Sequence, residues 1–429
     1  MAFDLDRSQQ SAWESYLAGK NVGLFGRAGC GKSAVLKRAI AHARRAHGAD
    51  RVGVMAWTTA AARMIDGHTM HKFLRVGIAE LPKDLVLESV KKNRLVRRKV
   101  ADTAVIFIDE LPLVPKRWLT TLEYVVRQLG PIGEHGRPWG RCQVVVAGDP
   151  LQLGPVQSRL NNTDEAVYAC REFRQFFLSR YGLVFFLTGS HRQANDSWFV
   201  GCLDRGRKGE VSDADLMVLI ATSDGVAAEA WNERTQLRAL NVEVDAFNRG
   251  KLSRLPGAEV VYSCRDEVAV GITHPARRAY AQRCMLEICT PPVSLKPGAV
   301  VLTTREVSGV ATGTQGVVQS CLSSSVVCDF AGRRVVVSVM AFDVIDNCGT
   351  TLATRHAIPL VLAWAMTIHR AQGGSLNTLA IDFSELDWRL AGLVYSGLSR
   401  CRSLDGLLVR GLRRDQIVVD AGALRFHTE

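Results

Sequence analysis

The chain predicts an α/β protein whose parallel sheets are covered on both faces, with a small antiparallel β unit set into its second half. Three observations carry this. Short β-branched runs recur at spacings wide enough for crossover helices; the first of them leads straight into a glycine loop and then a helix; and from about Pro256 to Thr354 the texture changes to short strands parted by Gly and Ser turns.

The elements follow in order. From Asn21 the run VGLF reads as a short buried strand, Gly26 to Gly31 as a glycine loop, and Lys32 to Ala46 as a helix with its basic residues outward. VGVMAW (52–57), AVIFID (104–109) and QVVVAGD (143–149) read as further strands bounded by polar turns. Between Phe73 and Asp102 a basic stretch containing KKNRLVRRKV interrupts this rhythm and reads as a surface insertion, either a solvated helix face or a nucleic-acid contact. A second series opens with LVFFLT after Tyr181, followed by TQLRAL (235–240) and the helical NVEVDAFNRGKL. GAVVLTTREV, GTQGVVQSCL, SVVCDFAG and RRVVVSVMAFDV form the antiparallel unit, with a barrel-like form expected. Helical and parallel-strand texture returns in PLVLAWAMTIHRAQ, LNTLAIDF and DGLLVRGL, so the β unit is an insertion within a second α/β domain.

Bulk properties narrow the function classes. At 429 residues the chain has room for two or three domains, and 47% apolar with 22% charged residues is a globular balance. Lysine and arginine (54) exceed aspartate and glutamate (42) by 12, which suits a polyanionic partner without requiring one. Eleven scattered cysteines with no CxxC pair argue against a disulfide framework or a zinc site and for free thiols in a reducing compartment. The polar start MAFDLDRSQQ is no signal peptide, and no apolar run is long enough to span a membrane. A soluble intracellular protein without a membrane partner is expected.

Gly26-Arg27-Ala28-Gly29-Cys30-Gly31-Lys32-Ser33 fits GxxxxGK[ST] between strand and helix, where it forms a phosphate cradle. Glycines let backbone N–H groups turn inward, the helix amino terminus adds positive charge, Lys32 reaches the β and γ phosphates of ATP, and Ser33 binds magnesium. Asp109 and Glu110 end an apolar strand one α/β unit later; there one carboxylate holds Mg²⁺ while its neighbour activates the attacking water. Gln152, in GDPLQLGPV after a third strand, sits where strand ends meet ligand and can sense a γ phosphate. Arg192 in LTGSHRQAND and Arg400 in YSGLSRCRS are surface charges or arginine fingers, the latter worth ~10³ to 10⁵ in rate.

Taken in order, LDRSQQ, GRAGCGKS, WTTAAARMIDGHTMHKF, IFIDE, GDPLQLGPV, HRQ, NVEVDAFN, GTQGVV, LAWAMTIHRAQGGS and GLSRCRS resemble superfamily 1B DNA helicases of the Pif and RecD-like type. PWGRCQVVVAGD favours the Pif branch, and the likeness runs from about Leu5 to Val409. The resemblance implies two RecA-like P-loop domains, 1–185 and 186–255 with 355–429. It also implies a wedge insertion at about 74–103 and an SH3-like unit at 256–354 that closes over DNA. It makes Gln9 the adenine contact, Gly26, Gly29, Gly31, Lys32 and Ser33 the phosphate and Mg²⁺ loop, Asp109 a metal ligand and Glu110 the water-activating base. Gln152 becomes the γ-phosphate sensor, Arg192 and Arg400 the fingers, and Gln372 a link from γ phosphate to the bound strand. Thr58, His71, Asn248, Thr367 and His369 fall in motifs lining a single-strand track.

The resemblance further implies ATP-driven 5′-to-3′ translocation on single-stranded DNA and unwinding of duplex or forked DNA, alongside replication or repair proteins. Three positions depart from the family pattern: Gly154 for a proline, Trp57 at a small position, and Gly397 for an alanine. None removes a group needed for hydrolysis, and Trp57 is either a base-stacking platform or a core residue. A nucleotide kinase would need neither TIHRAQG nor a second arginine-bearing series. A helicase-like subunit of a replication complex and a superfamily 1 RNA helicase remain the alternatives.

Overall fold

The computed structural model describes residues 5–76, 82–130, 134–155, 167–178, 182–189, 196–273, 275–288, 290–345, 351–372, 374–384 and 389–428. Two compact units emerge. The first comprises Met1–Leu74, Leu81–Trp231 and Ile368–Glu429, the second Arg75–Glu80 and Asn232–Thr367.

The first unit is built on six parallel strands: Asn21–Phe25 (β1), Val52–Ala56 (β2), His68–Thr69 (β3), Val105–Asp109 (β4), Gln143–Gly148 (β5) and Gly182–Phe186 (β6). Their spatial order is β3-β2-β4-β5-β1-β6. β1, β2 and β4 are buried at every residue, as their unbroken apolar runs require when helices cover both faces. The order places β5 between the strand entering the glycine loop and the strand ending in Asp109 and Glu110. Three loops therefore leave the same carboxyl edge side by side.

One face carries a core of Leu24, Leu36, Ile40, Val54 and Phe107 with Trp13 and Tyr16 of helix Arg7–Leu17. The other is aromatic. Phe25, the last residue before the glycine loop, meets Phe426 edge-on at 5.1 Å, and Phe173, Phe186 and Tyr168 also pack on Phe426. Phe426 belongs to the helix Ala421–Thr428, so the last described helix seals the first strand; burying such a ring stabilises by about 1.5–3 kcal/mol. Elsewhere in this unit Leu379–Asp382 pairs in parallel with Leu407–Arg410, and Trp231 packs on Ala380 and Leu408 beneath the Arg410 guanidinium.

The second unit begins with Thr235–Arg238 (β7) and the helix Asn241–Arg254. There follow Val260–Tyr262 (β8), Arg265–Val268 (β9), helix Pro275–Ile288, Val293–Leu295 (β10), Val300–Thr303 (β11), Gln315–Cys321 (β12), Ser325–Phe330 (β13), Arg333–Ser338 (β14), Met340–Ile345 (β15), Thr351–Ala357 (β16), Leu360–Leu362 (β17) and Ala365–Thr367 (β18). Strands β14-β13-β12-β11-β17 form one antiparallel sheet over Val301, Val318, Val326, Phe330 and Leu360. A second sheet, β15-β16-β9, has its own core of Phe342, Val344, Leu352 and Met285. The sequence reading foresaw the first sheet but neither the second nor the helix at 275–288.

One further expectation is corrected. LVLAWAMT, taken as one apolar segment, is two strands: β17 joins β11 of the antiparallel sheet and β18 pairs in parallel with β7. The chain divides at Ala363–Trp364 because the Ala363 N–H binds Val300 O while Trp364 O accepts the Gln236 N–H, and helix is confined to Ile368–Ala371. Segments 186–231 and 368–429 group with the phosphate-loop sheet because Arg207, Tyr395 and Ser396 bond directly to it.

The eight cysteines with described side chains are free thiols, and no helix among the described residues is long and apolar enough to cross a membrane.

Candidate functional site

The glycine loop is held in shape from below. Gly26, Gly29 and Gly31 have φ of 146°, 80° and 88°, and a Cβ on Gly26 would lie 2.4 Å from Leu187 O. Lys32 Nζ donates to Gly26 O at 2.7 Å and Arg27 O at 2.8 Å, so the lysine already spans the loop mouth. Ser33 follows it in the first turn of helix Lys32–His47. Arg27 donates to Thr188 O and Gly189 O, tying the loop to the chain that leads into HRQ. Arg192 itself lies outside the described residues.

Gln9 is buried, but its amide has a different setting from the expected one. Oε1 accepts the Asp6 N–H in a capping box, and Nε2 donates to Cys30 O at 3.2 Å. It joins the helix Arg7–Leu17 to the phosphate loop.

Asp109 is buried at the end of β4, and Glu110 follows in the left-handed region at φ 51°. Burial, and secondly the Glu110 charge, push the Asp109 carboxyl up to about 7, against the pull of the Glu110 N–H at 2.9 Å and of Lys32. Ser33 and Asp109 offer only hard oxygen donors, and a buried carboxyl crowded by a second one is the setting a divalent cation relieves. The pair fits Mg²⁺, whose remaining ligands would be phosphate oxygens and water. Among the described residues no cluster of three or more His, Cys, Asp or Glu offers an all-protein metal cage.

Among the described residues, buried Gln152 has no partner for Oε1, while its Nε2 donates weakly to Asp149 Oδ2 at 3.4 Å. Gln372 is buried, and neither its Oε1 nor its Nε2 has a partner among the described residues. Leaving such an atom buried and unbonded costs about 1–3 kcal/mol, so two amides kept this way imply a polar ligand. Arg400 is buried, donating to Ser396 O, Gly374 O and Ser399 Oγ. The helix that leads to it, Leu393–Leu398, is docked on the glycine loop and the Gln152 loop. Ser396 Oγ accepts the Leu153 N–H at 2.9 Å, Tyr395 Oη accepts the Ala28 N–H at 3.0 Å, and Gly392 touches Gln152.

Of the residues expected on a strand track, Thr58 and His71 lie together in the first unit. Thr58 Oγ1 accepts the Ala61 N–H, and His71 sits between Trp57 (5.1 Å) and Trp118 (4.2 Å). Burial, with the Arg117 charge second, holds His71 down at about 4, so it is neutral at neutral pH. Trp57 is half-buried, one face on His71 and Trp118. His369 is half-buried and lowered by burial; Thr367 ends β18 in the second unit. Asn248 is buried, with Nδ2 donating to Leu362 O and Ala365 O and Oδ1 accepting the Ala365 N–H, so its amide holds β18.

Residues 5–200 match the family described as PIF1-like helicase. The chain is 28% identical to "ATP-dependent DNA helicase Pif1" of Bdellovibrio bacteriovorus over 99% of its own length and 92% of the relative's. The human "ATP-dependent DNA helicase PIF1" is 27% identical across 99% of this chain and 63% of its own. Among solved structures, the Pif1 helicase of Candida albicans superposes with a TM-score of 0.86 at 25% identity, covering 99% of both chains. The chain is thus similar to the PIF1-like helicases over residues 5–200 and, in fold, along nearly its whole length.

The fold agrees with the two RecA-like P-loop sheets the resemblance implied. The sequence reading left Tyr395, Asp149, Arg207 and Ser396 without a role, although YSGLSR and GDPLQ were both quoted. The only local signal was a tyrosine five residues before Arg400 and an aspartate three before Gln152.

Proposed function

We propose that this chain is an ATP-driven DNA helicase that moves 5′ to 3′ along single-stranded DNA and separates the duplex ahead of it. The observation that carries this is the convergence at one sheet edge of the phosphate loop, the Asp109–Glu110 pair and Gln152, with the element bearing Arg400 bonded to two of the three.

Lys32 and the loop amides bind the phosphates, and Glu110 takes the proton of the attacking water that Gln152 Oε1 orients. Bound Mg²⁺, held through Ser33 and Asp109, supplies charge stabilisation of the phosphate oxygens. Arg400, just past the end of helix Leu393–Leu398, is the finger, Arg192 its proposed second, and Gln9 the adenine contact. Gln372, three residues after His369, is placed in sequence to link phosphate state to the strand touched by Thr58, His71, Thr367 and His369. The two α/β series are the proposed motor domains, the 74–103 helices the wedge, and the 256–354 sheets the unit that closes over DNA.

The test is unwinding of 5′-tailed and 3′-tailed DNA and RNA duplexes alongside DNA-stimulated ATPase. Selective unwinding of 5′-tailed DNA, lost in Lys32→Ala, is expected. Preference for 3′ tails overturns the polarity, RNA-only activity overturns the substrate, and wild-type ATPase in Lys32→Ala overturns the site.

A further inference from the structure

The groups that hold Gln152 are not those that bind nucleotide, and they converge on one carboxylate. Asp149, 1% exposed, accepts from Tyr395 Oη at 2.8 Å, Arg207 Nη2 at 2.8 Å, the Leu151 N–H at 3.3 Å and Gln152 Nε2 at 3.4 Å. Arg207 is itself 3% exposed, and Asp204 at 3.4 Å is its other acid. The remaining charged neighbour, His427, has its pKa lowered by burial first and by Arg207 second.

Hydrogen-bond polarity in this cluster is fixed by chemistry. A carboxylate only accepts, so the Gln152 amide must turn its nitrogen toward Asp149 and present Oε1 outward, which is the atom left without a partner. The Tyr395 hydroxyl has one proton. Since Ala28 N–H is a donor, the hydroxyl accepts there and donates to Asp149. Burial and the Asp149 charge push the phenol up, so that proton stays on through the working pH range. The chain of bonds thus runs from the phosphate loop through Tyr395 to Asp149, and from Asp149 to the orientation of the Gln152 carbonyl.

The geometry points to Tyr395 and Arg207 as positioning residues for ATP hydrolysis: acting through Asp149, they aim the Gln152 carbonyl oxygen at the attacking water and fix its height over the phosphate loop. Neither touches nucleotide in this scheme. The inference rests on the reading of Gln152 as the group that orients water at the γ phosphate. Tyr395 and Arg207 come from different parts of the sequence, 188 positions apart by subtraction of their numbers, so the cluster reports whether both have docked on the phosphate-loop sheet.

The experiment compares DNA-stimulated ATPase in wild type, Tyr395→Phe, Gln152→Ala and the double variant, with fluorescent ADP binding measured in parallel. Tyr395→Phe keeps the ring and removes only the hydroxyl. It should lower kcat about tenfold with KM for ATP and ADP affinity within about twofold, the signature of an interaction felt at the transition state. In the Gln152→Ala background the same change should lower kcat less than about twofold, because both act through one amide. A merely structural tyrosine would lower the melting temperature and leave that coupling absent. Wild-type kcat in Tyr395→Phe beside a slow Gln152→Ala overturns this inference alone, as does a full tenfold loss in the double variant. Wild-type kcat in Gln152→Ala overturns the underlying reading as well. Should Tyr395→Phe fail to fold, Arg207→Lys keeps the charge and loses the planar fork; the same kcat loss and the same coupling to Gln152 are expected, and their absence overturns the proposal.

Discussion

Gly392→Ala puts the docking of the Arg400 element to a quantitative test. Gly392 sits at φ 74°, where an alanine costs roughly 1–2 kcal/mol. Its Cβ would lie 2.6 Å from the Gln152 carbonyl carbon, 2.7 Å from its oxygen and 2.9 Å from Leu151 O, all backbone atoms. Restoring an ordinary 3.4 Å contact requires a retreat of 3.4 − 2.6 = 0.8 Å. If helix Leu393–Leu398 moves as a body by that amount, the Leu153–Ser396 bond goes from 2.9 to 3.7 Å and the Ala28–Tyr395 bond from 3.0 to 3.8 Å. Both are then broken, each worth about 0.5–1.5 kcal/mol. The sum is a destabilisation of about 2–5 kcal/mol, measured by urea unfolding of the phosphate-loop unit, with a fall in DNA-stimulated kcat as Arg400 is carried away. Unchanged unfolding and unchanged kcat would refute the reasoning, because they would mean the helix does not bear on the Gln152 loop at all.

Other expectations are separately measurable. His369→Ala should weaken stimulation of ATPase by single-stranded DNA while basal hydrolysis is largely kept; basal loss equal to that of Lys32→Ala would contradict a coupling role. His71, held neutral with its pKa at about 4, should contribute no counterion release, so His71→Asn should leave the slope of log K against log salt unchanged, whereas a cationic contact would shift it by about 0.7. Because the folded value lies below the ordinary 6.5, the unfolded chain binds the proton first. Stability should therefore fall as pH drops from about 6.5 toward 4, and His71→Asn should flatten that part of an unfolding-against-pH curve. Gly250 lies inside helix Asn241–Arg254 with open space around its Cβ position; Gly250→Ala should raise stability by about 0.5–1 kcal/mol in thermal unfolding.

What the sequence disclosed and what it hid divide along physical lines. Buried parallel strands announce themselves, since both faces must be apolar: VGLF, VIFID and QVVVAG are strands within a residue or two of where they read. The phosphate loop and the Asp109–Glu110 pair were legible because their chemistry is local, set by neighbours in sequence. The Asp149 cluster was not, because Tyr395 lies 246 positions away and its meaning comes only from whom it meets. The bonds by which Asn248 holds the backbone of Ala365 were hidden likewise, since its partner lies 117 positions away. The run LVLAWAMT hid a change of sheet, since apolar β-prone residues suit either partner and only the pairing at Val300 and Gln236 separates them.

The seal between Phe25 and Phe426 bears on how the molecule is made. A ribosome delivers β1 about four hundred residues before Phe426, the ring that meets Phe25 edge-on. Until then the base of the phosphate loop carries an uncovered aromatic surface, the kind of exposure that recruits chaperones and favours aggregation. Loop closure over such a span is also slow. A chain interrupted before Phe426 would therefore carry the whole GRAGCGKS motif without the ring that packs beneath it.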